Sequence, residues 1–167
     1  MFFRRFLSNP TIVGSITPSS KSLSMQIASQ AISLSSAYTL IELGPGSGAI
    51  TKFLLKATVS VEVDADFVAV LQNKFPERNI INTDAADYLR NLKSPVTIIS
   101  SIPLIGNPNS ENIKNSIKLA YRAGVIKSLI TYSYGRKSPY SDCNFISEQR
   151  TKCVFLNIPP ANIWVYS

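Results

Sequence analysis

Apolar residues follow two rhythms along this chain. Short aliphatic or β-branched runs bounded by polar residues read as strands at 38–43, 59–63, 79–83, 96–100 and 126–132. Between them, helical spacing marks 49–55, 67–75, 84 to about 92, and about 112–121. Pro76 stops the second of these helices. Strands alternating with helices predict a parallel sheet with right-handed crossovers, an α/β fold. The rhythm changes near the end. Residues 152–156 and 163–166 are strands separated only by a hairpin-length loop, 157–162, so an antiparallel hairpin closes one sheet edge.

Residues 1–37 stand apart from this alternation. They hold an apolar basic start, a Gly/Pro/Ser loop from Gly14 to Ser20, and a helix from about Lys21 to Leu34. Ser19 or Ser20 suits its N-cap. We read 1–37 as a helical cap on a 38–167 ligand-binding unit, one structural domain in all. Phe2, Phe3, Phe6 and Leu7 beside Arg4 and Arg5 make a small amphipathic basic segment suited to a lipid interface, or to packing on the domain.

Composition narrows the chemistry. No histidine occurs among the 167 residues, which removes Ser-His and Cys-His nucleophiles. Two cysteines, Cys143 and Cys153, cannot make a four-ligand zinc set, so no metal site is expected. Apolar runs fall short of a membrane span and no signal peptide is evident, which predicts a cytoplasmic protein. The net charge of +7 suits an anionic partner, either nucleic acid or an anionic membrane surface.

The run Glu42-Leu43-Gly44-Pro45-Gly46-Ser47-Gly48 follows the first strand directly. A strand, a glycine turn and a helix form a Rossmann-like nucleotide site. Glycines there let the backbone approach a ligand, and the helix start offers free N–H groups. Gly44-x-Gly46-x-x-Ala49 also fits a dinucleotide fingerprint. Glu42 opposes that reading, because a carboxylate repels pyrophosphate and attracts an ammonium. Glu62, twenty residues on at the end of the second strand, can accept both hydroxyls of a ribose.

Glu42 to Gly48 resembles the E-x-G-x-G-x-G motif of class I S-adenosylmethionine-dependent methyltransferases. The resemblance implies a seven-stranded sheet and S-adenosyl-L-methionine as cofactor. It puts Glu42 near the methionine amino group, and Gly44, Gly46 and Gly48 under the ligand. Asp84 falls on the adenine amino group, and the Ala85 N–H on the ring. Val63 and Ser100 complete the cofactor set. Asp84 also suits an N-cap.

Ser101-Ile102-Pro103-Leu104 stands where amino-group methyltransferases carry Asn/Asp-Pro-Pro-aromatic, and rRNA adenine dimethyltransferases carry Asn-Leu-Pro-Tyr. The resemblance gives Ser101, Ile102 and Pro103 the catalytic role: a side chain and a carbonyl orient the acceptor nitrogen. Serine replaces the asparagine and Leu104 the aromatic residue, so no ring remains to stack on a flipped base.

More of the chain is similar to bacterial phospholipid N-methyltransferases. The segments are 6–10 with 13–20, 42–48, 100–104, 131–135 with 138–139, and 157–161 with Trp164. That resemblance implies a phosphatidylethanolamine substrate, an anionic membrane surface as partner, a peripheral position on it, and no obligate protein partner. Leu104 and Tyr134 become the substrate-binding residues, with the Tyr134 ring facing the cationic headgroup. Nucleic acid, as substrate of an rRNA adenine methyltransferase-like enzyme, is the second expectation, and a non-catalytic cofactor-binding protein the third.

Overall fold

The computed structural model describes residues 20–155 and 159–167. The amphipathic start at 1–7, Ser19 and the Asn157-Ile158 pair lie outside them. The described chain opens with α1 (Lys21–Leu34), which is N-capped by Ser20: its Oγ accepts the Leu23 N–H at 3.2 Å. Five strands follow, β1 (Thr39–Leu43), β2 (Val59–Glu62), β3 (Asn79–Asn82), β4 (Val96–Ser100) and β5 (Ile126–Ser133). Helices α2 (Ala65–Lys74), α3 (Ala85–Arg90) and α4 (Ser110–Arg122) connect them, and β6 (Glu148–Val154) and β7 (Ala161–Tyr166) end the chain.

All seven strands form one sheet in the order β3-β2-β1-β4-β5-β7-β6. Pairings from β3 through β5 are parallel, and β7 pairs antiparallel with both β5 and β6. The fold is therefore the expected Rossmann-like α/β sheet with a C-terminal antiparallel hairpin. Central strands are buried on both faces, and alternate residues serve opposite layers. Ile41, Leu43, Ile98 and Leu129 pack with α3 and α4 residues such as Leu89 and Ile117. Leu40, Ile99 and Ile130 pack with Leu23, Ile27 and Ala31 of α1. The helix predicted ahead of β1 thus packs its Leu23, Ile27 and Ala31 into the core.

Two local readings need correction. The glycine loop does not open an α-helix over 49–55. Turns carry the chain to a 3₁₀ helix at Thr51–Phe53, with Leu54 already extended. Its bonds run to the third residue back: Phe53 N–H to Ile50 C=O at 2.9 Å and Leu54 N–H to Thr51 C=O at 3.1 Å. Thr51 is buried and turned inward, which ties this segment under the loop and leaves no α-helical start to present a row of amides. The hairpin's first strand also begins earlier than its apolar residues indicate. Glu148 to Lys152 are exposed, so the edge strand carries no apolar rhythm. The register with β7 shifts between Arg150 and Lys152. An edge that is charged and irregular resists pairing with other chains. No helix among the described residues is long and apolar enough to cross a membrane.

Candidate active site

Between β1 and β4 the order of strands reverses, and open α/β sheets hold ligands at the carboxyl ends beside such a point. Backbone bonds carry the ladder past the strand ends. Gly44 N–H donates to Val61 C=O at 2.9 Å, Ser101 N–H to Leu43 C=O at 2.9 Å, and Thr83 N–H to Glu62 C=O at 3.1 Å. These bonds bring 42–48, Glu62-Val63, Asp84-Ala85 and 100–104 to one rim. The predicted site residues are assembled there, with the exception of Tyr134.

Glu42 is wholly buried at the base of this rim. Its Oε2 accepts the Thr51 hydroxyl at 2.8 Å and the Ser60 hydroxyl at 3.2 Å. Its Oε1 is buried with no hydrogen-bond partner among the described residues. Loss of water raises its pKa to about 7, against the lowering effect of the two hydroxyls and of Arg78. Half of this carboxylate is held and half waits for a donor. Above it, Gly44 has φ +69°, and a Cβ there would meet Ile102 Cγ1 at 2.6 Å. Only glycine lets the acceptor loop lie this close to the first turn. A Cβ on Gly46 would meet nothing within 4 Å, so that turn borders open space.

Glu62 clamps the glycine loop. Its Oε2 accepts the Gly46 N–H and its Oε1 the Asp64 N–H, both at 3.0 Å. Burial raises its pKa, and the backbone donors pull the other way. Each carboxylate oxygen has further acceptor capacity, so a hydroxyl can still be bound. Val63, next in the chain, is exposed on the rim. Asp84 caps α3, its Oδ1 accepting the N–H groups of Ala86 at 2.8 Å and Asp87 at 3.3 Å. The N-cap reading holds.

Sequence reasoning missed the residues that fix the rest of the rim. Asn109 donates to Asp84 Oδ2 at 2.8 Å, and Asn107 donates to the Pro103 carbonyl at 3.1 Å. The Asn109 N–H in turn donates to the Asn107 side-chain oxygen at 2.9 Å, so one asparagine pair joins the third and fourth loops. Ser100 Oγ and Tyr140 OH share a 2.7 Å hydrogen bond, and Thr131 Oγ1 donates to the Ser100 carbonyl at 2.8 Å. Ser100 is therefore a buried strut. Nothing in the sequence pairs it with a tyrosine forty positions away. Asparagines at 107 and 109 in a Gly/Pro-rich turn were the available signal for the other pair. Ser101 Oγ is buried with no hydrogen-bond partner among the described residues. Leu104 is half-buried against the core, and Ile105 beside it is 83% exposed.

Tyr134 lies one strand beyond β4, half-buried past the end of β5, and stands edge-on to Tyr132 with ring centres 6.0 Å apart. It borders a groove shared with Arg136, Arg150 and Lys152. Those cations would repel an ammonium headgroup, so the ring is poorly placed to receive one. Among the described residues no cluster could hold a metal ion, and Cys143 and Cys153 are free thiols.

A glycine turn over a buried carboxylate, at the switch point of this sheet, defines the class I methyltransferase fold. Solved structures share it. A 23S rRNA methyltransferase, ErmE, superposes with a TM-score of 0.61 at 20% identity over 86% of this chain and 66% of its own. A SAM-dependent methyltransferase from Archaeoglobus fulgidus gives 0.59 at 12% identity, covering 97% and 98%. The chain belongs to the ribosomal RNA adenine dimethylase family, whose model matches residues 4–119. A Ribosomal RNA small subunit methyltransferase A from Hydrogenobaculum sp. (strain Y04AAS1) is 34% identical over 107 residues, 57% of this chain and 42% of the relative. One from Hahella chejuensis (strain KCTC 2396) is 36% identical over 74 residues, 38% and 27%. The chain thus spans 27% and 42% of the length of these two relatives.

This overturns the resemblance to phospholipid N-methyltransferases. The family match runs through the segments that carried it, including 13–20, 42–48 and 100–104. With the family goes the substrate: a phosphatidylethanolamine headgroup, an anionic membrane partner and a peripheral membrane position lose their support.

Proposed function

We propose that this protein is a methyltransferase that moves a methyl group from S-adenosyl-L-methionine to the exocyclic nitrogen of an adenine in ribosomal RNA. The observation that carries this reading is the pair of buried acceptors left open at one rim, Glu42 Oε1 below Gly44 and Ser101 Oγ on the loop above it. Buried polar atoms are nearly always bonded, so open ones at a ligand crevice await a partner. An ammonium satisfies the first and an amino group the second. The residues present therefore fit the cofactor and the acceptor. Membership of the adenine dimethylase family supports RNA over other amines.

When bound, S-adenosylmethionine supplies an electrophilic methyl group on a sulfonium. The chain's part is to bind and to aim. Glu42 takes the ammonium, Gly44, Gly46 and Gly48 admit the ligand backbone, and Glu62 takes the ribose hydroxyls. Val63 supplies apolar cover, and Asp84 with the Ala85 N–H reads the adenine edge. Ser101 Oγ and the Ile102 carbonyl accept from the target amine and hold its lone pair in line with the methyl. Pro103 stiffens that turn, and Asn107 holds the Pro103 carbonyl from behind. Leu104 does not reach out to stack on the base, and Ile105 offers apolar contact in its place. Tyr140, through Ser100, keeps the strand end straight. A ribosomal substrate keeps the expectation of a cytoplasmic protein.

The test is transfer of labelled methyl groups from S-adenosylmethionine to unmethylated ribosomal RNA, with cofactor binding followed by calorimetry. Tight cofactor binding with no label on adenine, in intact rRNA or in ribosomal particles, would overturn the substrate. Absence of cofactor binding would overturn the whole reading.

A further inference from the structure

We propose that the groove beside Tyr134 is a second RNA-binding site, which grips the phosphate backbone several nucleotides from the target base. This rests on the RNA substrate proposed above. The groove, of about 610 Å³, lies where the end of β5 meets β6 and β7, and Tyr134, Arg136, Arg150 and Lys152 line it. The three cations are exposed, and none pairs with a carboxylate among the described residues. Among the described residues, no acidic side chain lines the groove.

The wall of this groove is built, not loose. Ser133 Oγ donates to the Gly135 carbonyl at 3.1 Å and accepts the Trp164 Nε1–H at 2.9 Å. Asn162 Nδ2 donates to the same Gly135 carbonyl at 2.9 Å. The loop that carries Arg136 is therefore pinned to β7, facing the edge strand that carries Arg150 and Lys152. Exposed cations on a pinned backbone frame favour a partner of repeating negative charge. Aromatic Tyr134 at the wall adds a surface on which a base can stack.

Position makes the occupant the same RNA. Asn162 pairs with both Ser133 and Cys153 in register, so the groove opens at the carboxyl end of the parallel strands, as the rim does. In the sheet order, β6 is three strands from β4, where Ser101 follows. At ~4.8 Å per strand this is ~14 Å. At ~3.4 Å per stacked nucleotide, it corresponds to about four nucleotides. The expected footprint is a target adenine on the rim and backbone about four nucleotides away in the groove.

The full chain and its Arg136→Ala/Arg150→Ala/Lys152→Ala variant should be compared on an unmethylated single-stranded RNA, with binding measured against salt. Each lost phosphate contact removes about 0.7 from the slope of log affinity against log salt, so the triple change should lower it by about 2. Low-salt affinity should fall at least tenfold, and cofactor affinity should not move. The charge-keeping variant Arg136→Lys/Arg150→Lys/Lys152→Arg should recover most of the binding, which excludes a folding defect. Shortening the RNA to fewer than four nucleotides on either side of the adenine should mimic the triple variant. An unchanged slope and affinity would overturn the groove, as would an effect confined to anionic vesicles, or no RNA binding by the parent. If the parent methylates RNA while the triple variant keeps the same slope, the groove fails and the proposed function stands. If the groove governs RNA binding but no methyl is transferred, the function fails and the groove stands.

Discussion

Replacing Glu42 by Gln tests whether the buried carboxylate is held in readiness for a cationic ligand. In the folded protein its pKa is raised from the ordinary 4.5 to about 7. A raised carboxylate favours folding only while it is protonated. Its contribution is fully present below pH 4.5 and is lost as the pH rises to 7. Carried from 4.5 to about 7, this preference for the neutral form is worth about 3 kcal/mol, at ~1.36 kcal/mol for each tenfold change in proton affinity. Between pH 5 and pH 8 the parent should lose ~2–3 kcal/mol of stability through this group. Glu42→Gln carries no titrating proton, can still accept from Thr51 and Ser60, and should lose none of it. Denaturant unfolding of both proteins at the two pH values, read as the change in their difference, isolates the group from every other titration. Calorimetry should add that the parent releases protons on binding S-adenosylmethionine near neutral pH, because an ammonium beside Oε1 favours the ionised form. The variant should bind more weakly without that release. A stability difference that does not change with pH would refute a neutral, buried Glu42. Equal cofactor affinity would refute its role toward the ammonium.

Gly44→Ala forces a Cβ to 2.6 Å from Ile102 Cγ1 at φ +69°, so thermal unfolding should show a loss of about 1–3 kcal/mol and methyl transfer should fall with it. Ser101→Ala removes the open hydroxyl from the acceptor loop. Turnover at saturating cofactor should drop severalfold while calorimetric cofactor affinity stays level, and unchanged turnover would move the acceptor site elsewhere. Tyr140→Phe deletes the 2.7 Å bond to Ser100 inside the core, with a stability cost of about 1–2 kcal/mol. Its kcat should fall more than its KM rises, because a displaced strand end misaims Ser101, and parallel changes in both would limit Tyr140 to packing.

Much of this molecule is written locally. Strand runs at 39–43, 96–100 and 126–133 are apolar because both faces are buried, and the same glycines and acids that mark the site sit one or two residues past them. Position at a strand end was enough to gather Glu42, Glu62, Asp84 and Ser101 on one rim. The helix over 49–55 was misread because Thr51 serves Glu42 rather than the helical ladder, a contact nine positions apart that no periodicity records. Polar β6 was found only at its last residues, since an exposed edge strand needs no apolar side chains. Tyr140 and Asn109 act across forty and twenty-five positions, through partners that only the folded sheet supplies. The substrate was misjudged for a related reason. Leu104 in place of an aromatic residue argued against a base, whereas the family match runs over residues 4–119 and does not hang on that one side chain.

Strand β7 sits between β5 and β6, although it is translated after both. A nascent chain that has released Val154 still shows β5 as an open edge, because β6 has no neighbour until Ala161–Tyr166 arrive. Assembly of this flank therefore comes last and is driven by the final segment, whose Ala161, Ile163 and Tyr166 are buried. A ribosome that stalls or terminates just short of that segment would release a chain with the rim of β1 to β4 in place, an exposed apolar margin, and Arg136 separated from Arg150 and Lys152. Such a product is a candidate for aggregation and for degradation, because an unpaired apolar strand edge is open to other chains.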